Sequence, residues 1–87
     1  MHEFSLLAAL IKKIETIAHE QEATKVVTVA VKLGALSHIS ADHFREHFSH
    51  AITGTVAAEA TLEIEVGTDE NAADAQDIVL KSLEVED

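Results

Sequence analysis

Histidine is the residue type in this chain with the most chemistry to offer: six of the 87 residues are histidine, and His38, His43, His47 and His50 sit close together. His43, His47 and His50 fall at i, i+4 and i+7, so a helix would present these imidazoles on one face in adjacent turns. Imidazoles one turn apart can share a divalent ion, and nickel, copper and zinc all accept such ligands. The same spacing also describes a polar helix flank that uses histidine with no ligand in view, and at this level both readings stand. A second candidate is the N-terminus, Met1-His2-Glu3. Its α-amine, the backbone nitrogen of residue 2 and the His2 imidazole can close fused five- and six-membered chelate rings around one ion. Deprotonating a backbone amide suits nickel(II) or copper(II), which favour planar, nitrogen-rich coordination. His2 is too bulky for routine removal of the initiator methionine, so this chelate can survive translation.

Most other chemistry is excluded by composition. There is no cysteine, hence no disulfide and no thiolate metal site. With only three glycines and no glycine-rich phosphate loop, a nucleotide site of the usual kind is not expected, and no nucleophile elbow is present. Sixteen Asp and Glu face six Lys and Arg, for a formal net charge of −10. Nucleic-acid binding needs a basic surface that releases phosphate counterions, and an anionic membrane would repel this chain. The acidic balance fits simple solubility, a cation binder or a docking partner for a basic surface. No signal peptide opens the sequence, and the longest apolar run, residues 6–11, is far too short to span a bilayer. The expected compartment is the cytoplasm.

The elements that must position these residues can be read in order. Apolar residues make up 47% of the chain, enough for one small domain whose core is mainly aliphatic, since the aromatics are only Phe4, Phe44 and Phe48. Phe4, Leu7, Leu10, Ile11, Ile14, Ile17 and Ala18 form a helical stripe over residues 4–19. Residues 25–33 read as a strand, with Val27, Val29, Val31 and Leu33 alternating with Val26, Thr28, Ala30 and Lys32. Ser40 is the expected N-cap of a second helix whose stripe is Phe44, Phe48, Ala51 and Ile52, with Asp42 at the positive end of the dipole and Gly54 as terminator. A second strand is expected over 56–66, then a polar connection over 67–76, then a last strand over 78–86. In that last strand Lys81 breaks the alternation, which either a bulge or an edge position would explain. The order α-β-α-β-β predicts an α+β two-layer sandwich, with two helices on one face of a three-stranded mixed sheet. The helical crossover makes the first two strands parallel, and the last two are expected to form a hairpin. The sheet face carrying Thr28, Lys32, Glu63 and Glu65 is left for water or a partner.

Taken together, these segments resemble the HypA/HybF family of nickel metallochaperones. The opening Met1-His2-Glu3-Phe4-Ser5-Leu6 is similar to that family's start, and Lys32-Leu33-Gly34-Ala35-Leu36-Ser37 resembles the end of its first strand and its Gly-x-Leu-Ser turn. Phe44, Phe48 and Gly54-Thr55 match its second helix and exit, while Ala60-Thr61-Leu62-Glu63-Ile64-Glu65 and Leu83-Glu84-Val85-Glu86-Asp87 match its last strands. The resemblance implies nickel at Met1, His2 and Glu3, no catalysis by this chain, and two partners: a HypB-type GTPase and a hydrogenase large subunit. It also implies a zinc insert with two Cys-x-x-Cys pairs between the last two strands. Here that place is taken by a short connection starting at Gly67-Thr68-Asp69, so residues 1–87 are expected to be one nickel-binding domain with no zinc site. His38, His43, His47 and His50 stand where small or apolar residues are expected in relatives, His38 where glycine is common. A short connection beside edge strands also leaves strand exchange into a homodimer open. The alternative to metal delivery is an interaction or regulatory module that keeps the fold.

Overall fold

The computed structural model describes residues 3–86, with Glu3 and Phe4 described through their backbone only. The elements are α1 (Glu3–Glu20), β1 (Lys25–Leu33), α2 (Ala41–Ala51), β2 (Thr61–Val66) and β3 (Ile78–Glu86). Leu7, Leu10, Ile14 and Ala18 of α1 and Phe44 and Phe48 of α2 share one core with Val26, Val29, Val31 and Leu33. Both helices therefore cover the same sheet face. The two phenylalanine rings stack at 5.7 Å between centroids, and both are buried, which fixes the rotation of α2 about its axis.

Helix α1 ends in a Schellman motif. The Glu22 N–H donates to the His19 carbonyl and the Ala23 N–H to the Ala18 carbonyl, while Glu22 adopts the left-handed conformation with φ 54°. Helix α2 starts as the sequence predicts: Ser40 is the N-cap, and its hydroxyl accepts from the His43 N–H at 3.1 Å. It ends at Ala51, ahead of Gly54, whose φ of 82° belongs to the following turn.

The sheet order is β2-β1-β3, with β1 parallel to β2 and antiparallel to β3. The expected hairpin between the last two strands is therefore corrected: β3 pairs with β1, not with β2. The physical reason lies in composition. Strand β1 is the most apolar and sits in the centre, where both of its backbone edges are paired, while the charge-bearing β2 and β3 take the edges. The second strand is also shorter than expected. Residues 52–59 are a series of turns, held by Thr55, whose hydroxyl donates to the Ile52 carbonyl at 2.7 Å and accepts from the Ala57 N–H at 3.1 Å. The Val56 carbonyl accepts from the Val26 N–H, which ties these turns to the start of β1.

Two register shifts explain where simple alternation fails. Opposite β3, the pairing passes from Val26 to Thr28, so Val27 is an extra residue; Val26 becomes core and Val27 is 38% exposed, the reverse of the expected parity. On β3 the pairing passes from Ser82 to Leu80, skipping Lys81. That bulge lets Ile78, Leu80, Leu83 and Val85 all pack against the core from an edge strand. Both explanations considered for Lys81 hold at once.

Candidate metal sites

Both helices run antiparallel to β1, so both start at the end of the sheet where β1 finishes. Leu6, Ala9, Leu10 and Lys13 of α1 flank Asp77, Ile78, Val79 and Leu80, and Ile78 pairs with Leu33 at the end of β1. Helix α2 leaves the same end through the turn 34–40 and returns the chain to Val26, as a crossover between parallel strands requires. Three features thus share one end of the molecule: the start of α1, the start of α2 and the connection between β2 and β3.

Met1 and His2 lie outside the described residues, and Glu3 is the first residue of α1. The neighbouring connection is docked firmly. The Gly34 N–H donates to the Asp77 carbonyl at 2.9 Å, the Leu36 N–H to the Ala75 carbonyl at 2.6 Å, and the Gly67 N–H to the Leu33 carbonyl at 2.7 Å. Gly34 is required by close approach, since a Cβ there would collide with the backbone carbonyl oxygens of Asp74 and Ala75 in the connection. Beside this contact lies a shallow cavity of about 180 Å³ bordered by Lys32, Gly34, Glu65, Asp69, Asp74 and Ala75. The sequence marks Gly34 as a strand breaker but gives no sign of its partner, because the docking joins segments that lie far apart in the chain.

The helical candidate is fully described. His43 lies in the first turn of α2 and is exposed, His47 is half-buried one turn later, and His50 is exposed in the last turn. The His43 and His47 rings meet edge to face, with centroids 6.4 Å apart and planes at 66°. Among the described residues no three His, Asp or Glu side chains gather into one cluster, so His50 does not join the pair as a third ligand. His38 sits apart, in the turn before α2, with φ 62°. This left-handed conformation is the one glycine adopts without cost. On the other sheet face Lys81 reaches Glu65 at 3.2 Å beside Ala30. Arg45 of α2 donates to the Leu62 carbonyl of the edge strand β2 at 3.2 Å.

Comparison with known proteins bears on the family and the fold. Residues 1–84 match the family model described as HypA, hydrogenase/urease nickel incorporation, metallochaperone. A hydrogenase maturation factor HypA from Rhodopseudomonas palustris strain BisA53 is 44% identical over 64 residues, covering 74% of this chain and 57% of the relative. The namesake factor from Archaeoglobus fulgidus is 39% identical over 66 residues, covering 76% of this chain and 60% of the relative. The match thus spans less than two thirds of the length of these relatives. The solution structure of the nickel metallochaperone HypA from Helicobacter pylori superposes with a TM-score of 0.80 at 23% identity, covering 99% of this chain and 98% of that one. A second solution structure of a HypA protein gives 0.74 at 24% identity, covering 98% and 96%. These two likenesses establish the fold, α+β with a three-stranded mixed sheet. A family match running from the first residue almost to the last, with a relative at 44% identity, leaves one assignment: the chain belongs to the HypA family.

Proposed function

We propose that residues 1–87 form a nickel-binding domain that carries nickel to an enzyme precursor, with Met1, His2 and Glu3 as the site. The observation behind this reading is the opening Met1-His2-Glu3, which the family match includes and whose α-amine, amide nitrogen and imidazole make a planar nitrogen chelate. Nickel is the cargo, bound and released; the domain itself performs no bond-making step. The client is a nickel–iron hydrogenase large subunit, and a HypB-type GTPase is the co-partner, acting in the cytoplasm. Among the described residues no helix is long and apolar enough to cross a membrane.

The chain contains no cysteine, so this reading places no thiolate zinc site beside the nickel site. Nickel delivery in this form does not depend on signalling between two metal centres. The test is a nickel titration of the chain with a free N-terminus, beside His2→Ala. Binding by the parent chain and its loss in His2→Ala is the expected result. Equal binding by both, or binding by neither, removes the N-terminal site and leaves the second reading, an interaction module built on the same fold. That second reading is favoured by one feature, the open sheet face with exposed Val27, Glu63, Glu65 and Glu84.

A further inference from the structure

We propose that His43 and His47 form a second, separate site for a divalent late transition-metal ion on the outer face of α2. The argument begins with how rigidly the two residues are presented. Ser40 caps the helix directly at His43 by accepting its N–H, and the buried, stacked rings of Phe44 and Phe48 lock the helix against the sheet. Each histidine immediately precedes a core phenylalanine, so both imidazoles are held at the rim of the helix rather than in the core, one turn apart. Pre-organisation of this kind lowers the ordering cost of a two-ligand site.

The distance fits after a small adjustment. With metal–nitrogen bonds of about 2.0–2.1 Å, two imidazoles in adjacent coordination positions have centroids about 4.5–5 Å apart. The observed 6.4 Å exceeds that by about 1.5–2 Å, so binding an ion requires the two side chains to rotate toward each other. Glu46 lies between them, giving His-x-x-Glu-His, a spacing that sets two zinc-binding imidazoles on one helix face in a class of peptidases. The third protein ligand that a catalytic zinc needs is lacking among the described residues, so this is a binding pair completed by water, not an active centre. The carboxylates of Asp42 and Glu46 and the net charge of −10 raise the local concentration of cations around it. Imidazole ligands select nickel, copper or zinc over magnesium or calcium.

This proposal does not depend on the N-terminal site, and the experiment keeps the two apart. Zinc chloride and, separately, nickel chloride are titrated into His2→Ala protein while the histidine ring resonances are followed by NMR. The expected result is one equivalent bound, with the His43 and His47 resonances shifting together and those of His19 and His38 unmoved. His43→Asn and His47→Asn should each weaken binding at least tenfold, and His50→Asn should leave it unchanged. Both asparagine variants change exposed or half-buried rim positions, and circular dichroism verifies their folding. Failure of either ion to bind His2→Ala protein overturns the proposal, as does binding that persists in His43→Asn/His47→Asn or that shifts all histidines alike.

Discussion

Replacing Gly34 by alanine tests whether the connection between β2 and β3 is docked as described. Gly34 does not have a positive φ, so the substitution carries no backbone strain of its own. At a site with free space, Gly→Ala stabilises by about 0.4–1 kcal/mol, because the unfolded chain loses freedom. Here the new methyl meets the backbone carbonyls of Asp74 and Ala75, which cannot rotate aside as a side-chain tip can. Forcing the segments apart costs about 1–3 kcal/mol in overpacking. It also weakens the Gly34–Asp77 and Leu36–Ala75 hydrogen bonds, each worth about 0.5–1.5 kcal/mol net. Set against the entropic gain, the net is a destabilisation of about 1–5 kcal/mol, out of a total of about 4–13 kcal/mol expected for a chain of this size. At about 4–8 °C per kcal/mol, thermal unfolding followed by circular dichroism should show Tm falling by at least about 4 °C and by as much as about 40 °C. Gly67→Ala is the matched control. Its Cβ would lie 3.2 Å from the Lys32 Cε and 3.3 Å from the Leu33 carbonyl, a tight fit that a flexible lysine can relieve in part, so the change should stay within about 1 kcal/mol. A Gly34→Ala protein as stable as its parent, or more stable, would refute the docking.

Other perturbations follow from the helix ends. Glu22 holds the left-handed position of a Schellman motif at the negative end of the α1 dipole, so Glu22→Gly should stabilise by about 1 kcal/mol and Glu22→Asn by less, read from urea midpoints; no gain from glycine would contradict that. Ser40→Ala should cost about 1 kcal/mol by removing the cap on His43, whereas Ser40→Asp should retain most of the stability, again by urea unfolding. In a double-mutant cycle, the exposed Lys81–Glu65 pair should show a coupling of no more than about 1 kcal/mol that fades in high salt.

The elements were legible where one local rule dominated. The apolar stripe of α1, the Ser40 cap and the β-branched run of β1 all depend on neighbours within a turn or two, and the structure agrees with each. The strand order was not legible, because pairing of β3 with β1 rather than β2 depends on which strand the whole sheet buries most deeply. Val27 shows the same limit on a smaller scale. Its exposure follows from a bulge defined against Val85 and Glu84, residues far along the chain, so no count of alternation within β1 could place it. Lys81 was different: its charge in an apolar run is a local signal, and both of the explanations it left open, a bulge and an edge position, are found. For the candidate sites, sequence spacing brought His43 and His47 together as the structure does, and among the described residues no third His, Asp or Glu gathers with them. The N-terminal site rests on chelate chemistry and family membership, since Met1 and His2 lie beyond the described residues.

The central claim is that nickel is held by the N-terminal amine, the following amide and the His2 imidazole. Acetylating the α-amine removes the first of these donors without touching any side chain. The most direct measurement is therefore nickel affinity by calorimetry for free and N-acetylated protein, both in the His43→Asn/His47→Asn background so that only the N-terminal site is read. The account predicts one equivalent bound by the free-amine protein and at least a tenfold loss of affinity on acetylation. Nickel bound equally tightly with the amine blocked would contradict it.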